Sequence, residues 1–329
     1  MNTYNKDNIL DDFNALVDLY LNSSSAEERK NIYSQMLFIY NIEPKLAKGC
    51  RLFSYKPKNY NVYLKEKEIQ KKRRYLELDG LTRNICFNLW DEINKYYPLD
   101  TINIFNDKYS YDDYLNILRC FFKKTFPSDL EIFNNDIIQN NLLIKKGFLF
   151  STANIFYLEL LKKYYINIEY YKGLNAFNMA STVHEYGHAS TFMQNFEYNS
   201  KDYILNEAIS SLYELLFLDY YTQKFGNDYN KVEMIRIFNT TCINRLRMSL
   251  PNKYEYRIHH IDMIESLYGQ LIAATIYIKY CDKDLNNIIE ILKNNYSKVD
   301  GFELLRSIDI TTDDLIDTSE DISKLVLRR

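Results

Sequence analysis

What most constrains this chain is how little interrupts it. Eight glycines and five prolines are spread over 329 residues, so most of the sequence lacks the residues that end helices or force turns. Within these runs apolar residues recur at three- and four-residue spacing, which predicts a mainly α fold. Two or three amphipathic helices are expected over 1–55 and a charge-dense helix over 64–79. Ser110, with Asp113 three residues on, predicts a capping box opening a helix over 111–125 that stops before Pro127. Further helices are expected over about 175–192, 203–225 (closed by Gly226), 229–249 and 256–280. Tyr164–Tyr171, YYINIEYY, is β-branched and aromatic and ends at Lys172-Gly173, so it reads as a strand. A weak boundary near Gly80 divides the chain into an N-terminal helical region, 1–84, and a second, larger region, 85–329.

Composition narrows the function classes. A net charge of −3 gives no overall basic field for nucleic acid. The basic run Lys71–Arg74 reads as a solvated helix face, because Glu66, Glu68 and Glu77 stand at helical spacing. Five cysteines are scattered with no CxxC pair, which suits free thiols in a reducing compartment. No signal-peptide pattern and no apolar run of membrane-spanning length is read. A cytoplasmic protein with no nucleic-acid or membrane partner is the expectation.

The segment that carries chemistry is Ser181-Thr182-Val183-His184-Glu185-Tyr186-Gly187-His188. Residues four apart share a helix face, so both imidazoles can reach one zinc ion. Glu185 then points beside the metal and can act as general base toward a metal-held water. Gly187 is a poor helix former whose use is to let another backbone or a substrate come close. The next helix carries Glu207 and Glu214, seven apart on one face among apolar neighbours. Carboxylates facing a core are costly unless paired or metal-bound. Glu207 is therefore assigned as third ligand, which leaves an open coordination place, as in catalytic zinc sites. Glu214 is assigned to orient a ligand imidazole through its free N–H. His259, His260 and Tyr268, the last followed by Gly269, are candidate donors to the oxyanion formed during hydrolysis.

These residues resemble the M3 family of metallopeptidases, in particular the oligoendopeptidase F-like branch. The similarity spans roughly 85–290. It rests on Ile166–Gly173 leading through Ala180–Val183 into His184-Glu185-Tyr186-Gly187-His188, and on Glu207, Ser210 and Glu214 as the family's second motif. Lys108–Tyr114, Lys145-Lys146-Gly147 and the block from His259 to Gly269 match more loosely. The resemblance implies a helical, zincin-type metallopeptidase fold with a small β-sheet edge beside the active-site helix, and one Zn2+ per chain. It implies hydrolysis of peptide bonds in oligopeptides or an unfolded segment, by Glu-assisted attack of zinc-bound water. Family members are longer, so the helical roof over the channel is expected to be reduced. Thr191 stands where many members have a further His, and Asp262, Ile264 and Ser266 where the family is Tyr-rich. The expected partner is a peptide substrate, either from a general pool or a dedicated precursor. The strand over 165–171 is expected to pair with that peptide. The alternative is a non-catalytic peptide-binding protein that retains the fold.

Overall fold

The computed structural model describes residues 6–43, 52–76, 80–82, 84–85, 88, 108–147, 151–195, 203–225 and 261–320. Three helices come first: α1 (Lys6–Asn22), α2 (Ala26–Ile42) and α3 (Tyr60–Leu76). The side chains of Lys71–Arg74 fall outside the description, as do the helix expected over 229–249 and Gly226. Helices α4 (Tyr111–Thr125) and α5 (Pro127–Gln139) follow. Ser110 opens α4 as expected: its Oγ accepts from the Asp113 N–H at 3.1 Å and donates to Asp113 Oδ2 at 2.6 Å. Pro127 takes the first position of α5, where its missing N–H costs nothing.

Three strands come next: β1 (Leu142–Lys146), β2 (Thr152–Leu158) and β3 (Lys163–Tyr170). The sheet order is β1-β3-β2. β1 runs parallel to β3 with Leu142 opposite Ile166, and β2 runs antiparallel to it with Ile155 opposite Ile166. The strand expected over 164–171 is therefore real, but it is central. Both its edges are taken, so it cannot also pair with a peptide. Among the described residues β1 and β2 are each bonded on one side only, so both are edge strands. The run of buried residues Tyr164–Ile168 is the signature of a strand covered on both faces. Tyr164, Ile166 and Ile168 point into the larger core. Tyr165 alternates to the other face and meets Leu143, Leu158 and residues of α1 and α2, among them Ile9, Phe13 and Tyr33.

Helix α6 (Ala176–Asn195) lies on the first face of the sheet and packs on α7 (Tyr203–Phe225), which packs in turn on α8 (Ile261–Tyr280). Helices α9 (Leu285–Asn295), α10 (Gly301–Ser307) and α11 (Thr312–Glu320) complete the described chain. α6 starts on a reciprocal cap. Asn175 Oδ1 accepts from the Asn178 N–H at 3.1 Å, and Asn178 Oδ1 accepts from the Asn175 N–H at 3.2 Å. Tyr114 of α4 then reaches Thr182 Oγ1 and the Asn178 carbonyl, at 2.5 and 2.9 Å, and fixes the helix about its axis. No helix among the described residues is long and apolar enough to cross a membrane.

Candidate metal centre

The site is set by how closely three helices approach. A methyl added at Gly187 of α6 would overlap Ser210 Cα of α7, and one added at Gly269 of α8 would overlap Glu207 Cβ. Both crossings need the bare glycine backbone. Gly187 thus serves a neighbouring backbone. The stripe 207, 210 and 214 on α7 is thereby pressed along His184. Glu207 Oε2 lies 3.8 Å from His184 Nε2, Ser210 Oγ lies 3.3 Å from the same nitrogen, and Glu214 Oε2 lies 3.2 Å from His184 Nδ1.

His188, one turn on, faces the same carboxylate, with Nε2 at 3.5 Å from Glu207 Oε1. The two imidazoles stand 4.9 Å apart between ring centres and nearly perpendicular, at 82°. One donor atom from each of His184, His188 and Glu207 lies within 4.8 Å of the others. The nitrogen–oxygen separations of 3.5 and 3.8 Å exceed the roughly 2.7–3.2 Å of a good N–H···O bond. They approach the roughly 3.3–3.4 Å between neighbouring ligands placed about 2.0–2.1 Å from a tetrahedral zinc. Two imidazoles and a carboxylate are also the donor set that zinc favours. The residues fit the ion. Ser266 of α8 donates to Glu207 Oε2 at 3.1 Å and helps aim it.

Glu185 is buried on α6 beside this cluster. Burial is the main cause that pushes its carboxyl up to about 7; His184 pulls it down, Glu207 and Glu214 push it up, and a bond from the Ile155 N–H of β2 pulls it down. Burial alone would lower the His184 imidazole. The Glu214 bond, with the charges of Glu214, Glu207 and Glu185, outweighs burial and leaves it raised. Tyr157 of β2 is also buried here. Desolvation, then the charge of Glu185, drives its hydroxyl well above the ordinary value.

Of the expected residues, the structure brings together His184, Glu185, His188, Glu207 and Glu214. His259 and His260 lie outside the described residues. Tyr268 needs correction. Its ring is fully buried against Phe302, and its hydroxyl bonds Thr82 Oγ1 at 2.7 Å. A phenol so enclosed is not presented to a substrate oxyanion; its neighbour Gly269 is the residue that matters to the site. Residues not anticipated include Asn206, whose Oδ1 lies 3.1 Å from His188 Nδ1, together with Thr191, Tyr157 and the aiming contact of Ser266. The Asn before Glu207 and the Thr three residues after His188 were visible in the sequence. Only the helix rotations place them on the imidazole.

Comparison with known proteins bears on the fold. No protein-family model matches the sequence, and no curated protein matches it. Among solved structures, the chain is similar to one from Bacillus anthracis str. Ames that carries the provisional name oligoendopeptidase F. The TM-score is 0.51 and the identity 13%, over 95% of this chain and 69% of that one. At that identity the likeness is one of overall fold: mainly helical, with a small three-stranded sheet.

Proposed function

We propose that this chain is a zinc-dependent peptidase that hydrolyses peptide bonds in oligopeptides or an unfolded peptide segment. The observation that carries the reading is the convergence of His184, His188 and Glu207 on one point with the free carboxylate of Glu185 beside it. The peptidase-like fold of the solved neighbour supports it. His184 Nε2, His188 Nε2 and a Glu207 oxygen would hold the ion. When bound there, zinc supplies polarisation of a carbonyl and acidification of water.

The protein's own groups then have distinct tasks. Glu185, pushed up to about 7, is suited both to take a proton from the attacking water and to return it to the departing amine. The Ile155 N–H pulls on that carboxylate, which sets the base beside β2. Glu214 orients His184 from its far side. The free edge of β2 offers main-chain groups to an extended peptide, which would then run past Glu185 whatever its side chains. His259 or His260 is assigned the oxyanion contact. The N-terminal region 1–84 is assigned as a reduced roof and 85–329 as the catalytic unit.

Zinc analysis of the purified chain, combined with mass spectrometry of a peptide mixture before and after incubation, tests the reading. Stoichiometric zinc and new internal cleavage products are expected. Zinc-loaded protein that binds peptides and leaves them intact would instead favour the non-catalytic binder.

A further inference from the structure

The two imidazoles are held from behind by different chemistry. His184 Nδ1 faces a carboxylate, Glu214 Oε2, at 3.2 Å. His188 Nδ1 faces a neutral amide, Asn206 Oδ1, at 3.1 Å. Asn206 and Glu207 are consecutive on α7, and consecutive helix positions diverge by roughly 100°. The pair therefore straddles the His188 ring, with the carboxylate at Nε2 and the amide at Nδ1.

A neutral imidazole carries one proton on one of its two nitrogens. The nitrogen that meets a cation must be bare, so the other holds the proton and needs an acceptor. Which end of the Asn206 amide faces the ring therefore decides the tautomer. Thr191 sets that choice: its Oγ1 donates to Asn206 Oδ1 at 2.8 Å. The same hydroxyl lies 2.8 Å from the His188 carbonyl. That carbonyl also takes the helical N–H four residues on, so the hydroxyl proton is shared between an acceptor already served and the amide oxygen. Tyr157 of β2 comes close to Asn206 as well. Asn206 and Thr191 are 5% and 0% exposed, so water does not compete for these groups.

We infer that Asn206 is a positioning residue, locked by Thr191, that keeps His188 protonated on Nδ1 and turns its bare Nε2 toward Glu207. The inference rests on the zinc reading proposed above and adds an asymmetry to it. One ligand imidazole is backed by a charge and the other by an uncharged dipole. Three carboxylates already surround the ion site, and an amide at the fourth place orients without adding a fourth negative charge.

The test uses the full-length protein and the variants Asn206→Leu, Asn206→Asp and Thr191→Val. Zinc affinity is measured by competition with a chromophoric chelator. The histidine tautomers of metal-free protein are read from two-bond 1H–15N correlation spectra. Asn206→Leu keeps the size but removes the acceptor, and should weaken zinc by about 10–100-fold and move the His188 proton toward Nε2. Asn206→Asp keeps an acceptor and should hold both zinc and tautomer near the wild type. Thr191→Val should weaken zinc by a few-fold, on the order of the smaller outer-contact effects. Unchanged affinity and tautomer in Asn206→Leu would overturn the inference, as would equal losses in Asn206→Asp and Asn206→Leu. Should Asn206→Leu fail to fold, Thr191→Val decides, and an unchanged tautomer and affinity count against the inference. If the wild type binds no zinc, the metal reading fails on its own, while the tautomer spectra still judge Asn206.

Discussion

Two groups of carboxylates lie among the helices around the sheet, and they are satisfied in different ways. Asp136 accepts from the Tyr164 hydroxyl at 2.5 Å and from Asn141 Nδ2 at 3.1 Å, and Asp129 accepts from Tyr213 at 2.6 Å with Lys293 nearby at 3.8 Å. Each of these carboxylates is met by a phenol hydroxyl at bonding distance. Glu207 stands 3.5 and 3.8 Å from two imidazole nitrogens, beside a Glu185 carboxyl raised to about 7. Glu207 is only partly buried and also accepts from Ser266 at 3.1 Å. The contrast separates carboxylates bonded by the fold's own hydroxyls from one that gathers with two imidazoles at the point where we propose zinc.

The sharpest way to break this contrast is to remove Glu207. Glu207→Ala should reduce zinc after dialysis from about one ion per chain to near none; full retention in elemental analysis would end the ligand assignment. Next in size, Glu185→Gln should keep zinc but cut turnover by about 10²–10⁴-fold in a peptide-cleavage assay. Wild-type turnover would show that the base is elsewhere. Gly269→Ala should push α8 off Glu207, costing about 1–3 kcal/mol by denaturant unfolding and weakening zinc at the same time. A stable variant with full affinity would mean that the crossing has slack. Tyr213→Phe, on the structural side, should cost only about 1–2 kcal/mol and leave zinc affinity unchanged.

The smallest effect concerns pH. Burial raises Asp136 above its ordinary value of 3.8, against bonds from Tyr164, Asn141 and Tyr186 that lower it. A carboxyl raised on folding binds its proton more tightly in the folded state. Its contribution to stability is therefore fully present below the unfolded value and is lost as pH rises through the folded one. Asp136→Asn should flatten that decline in unfolding free energy measured from pH 4 upward. An unaltered slope would remove Asp136 from the account.

The sequence made one kind of relation legible and hid another. His184 to His188, and Glu207 to Glu214, lie along single helices, where the α-helical period alone decides which side chains share a face. Relations across helices depend on the rotation of each about its axis, which tertiary packing sets. For that reason the contact between Asn206 and Thr191 passed unnoticed although each is within three residues of the cluster. The same blindness misplaced the chemistry in Tyr268-Gly269. The phenol drew attention, while the backbone of the next residue, about 100° around the helix, is what touches Glu207. For the sheet, the β-branched and aromatic run Tyr164–Tyr171 announced a strand, but strands β1 and β2 were not foreseen. Their pairing, which makes β3 central, comes from contacts distant in sequence.

The glycine crossings also govern how this molecule can move. With α6 seated on α7 at Ser210 and α8 seated on it at Glu207, no one of the three can roll or slide without driving main chain into main chain. The ligand cluster must then travel as a single block. If the proposed peptidase reading holds, a peptide must enter and leave by motion of the parts around that block, and such motion, rather than adjustment within the cluster, would set the pace of exchange.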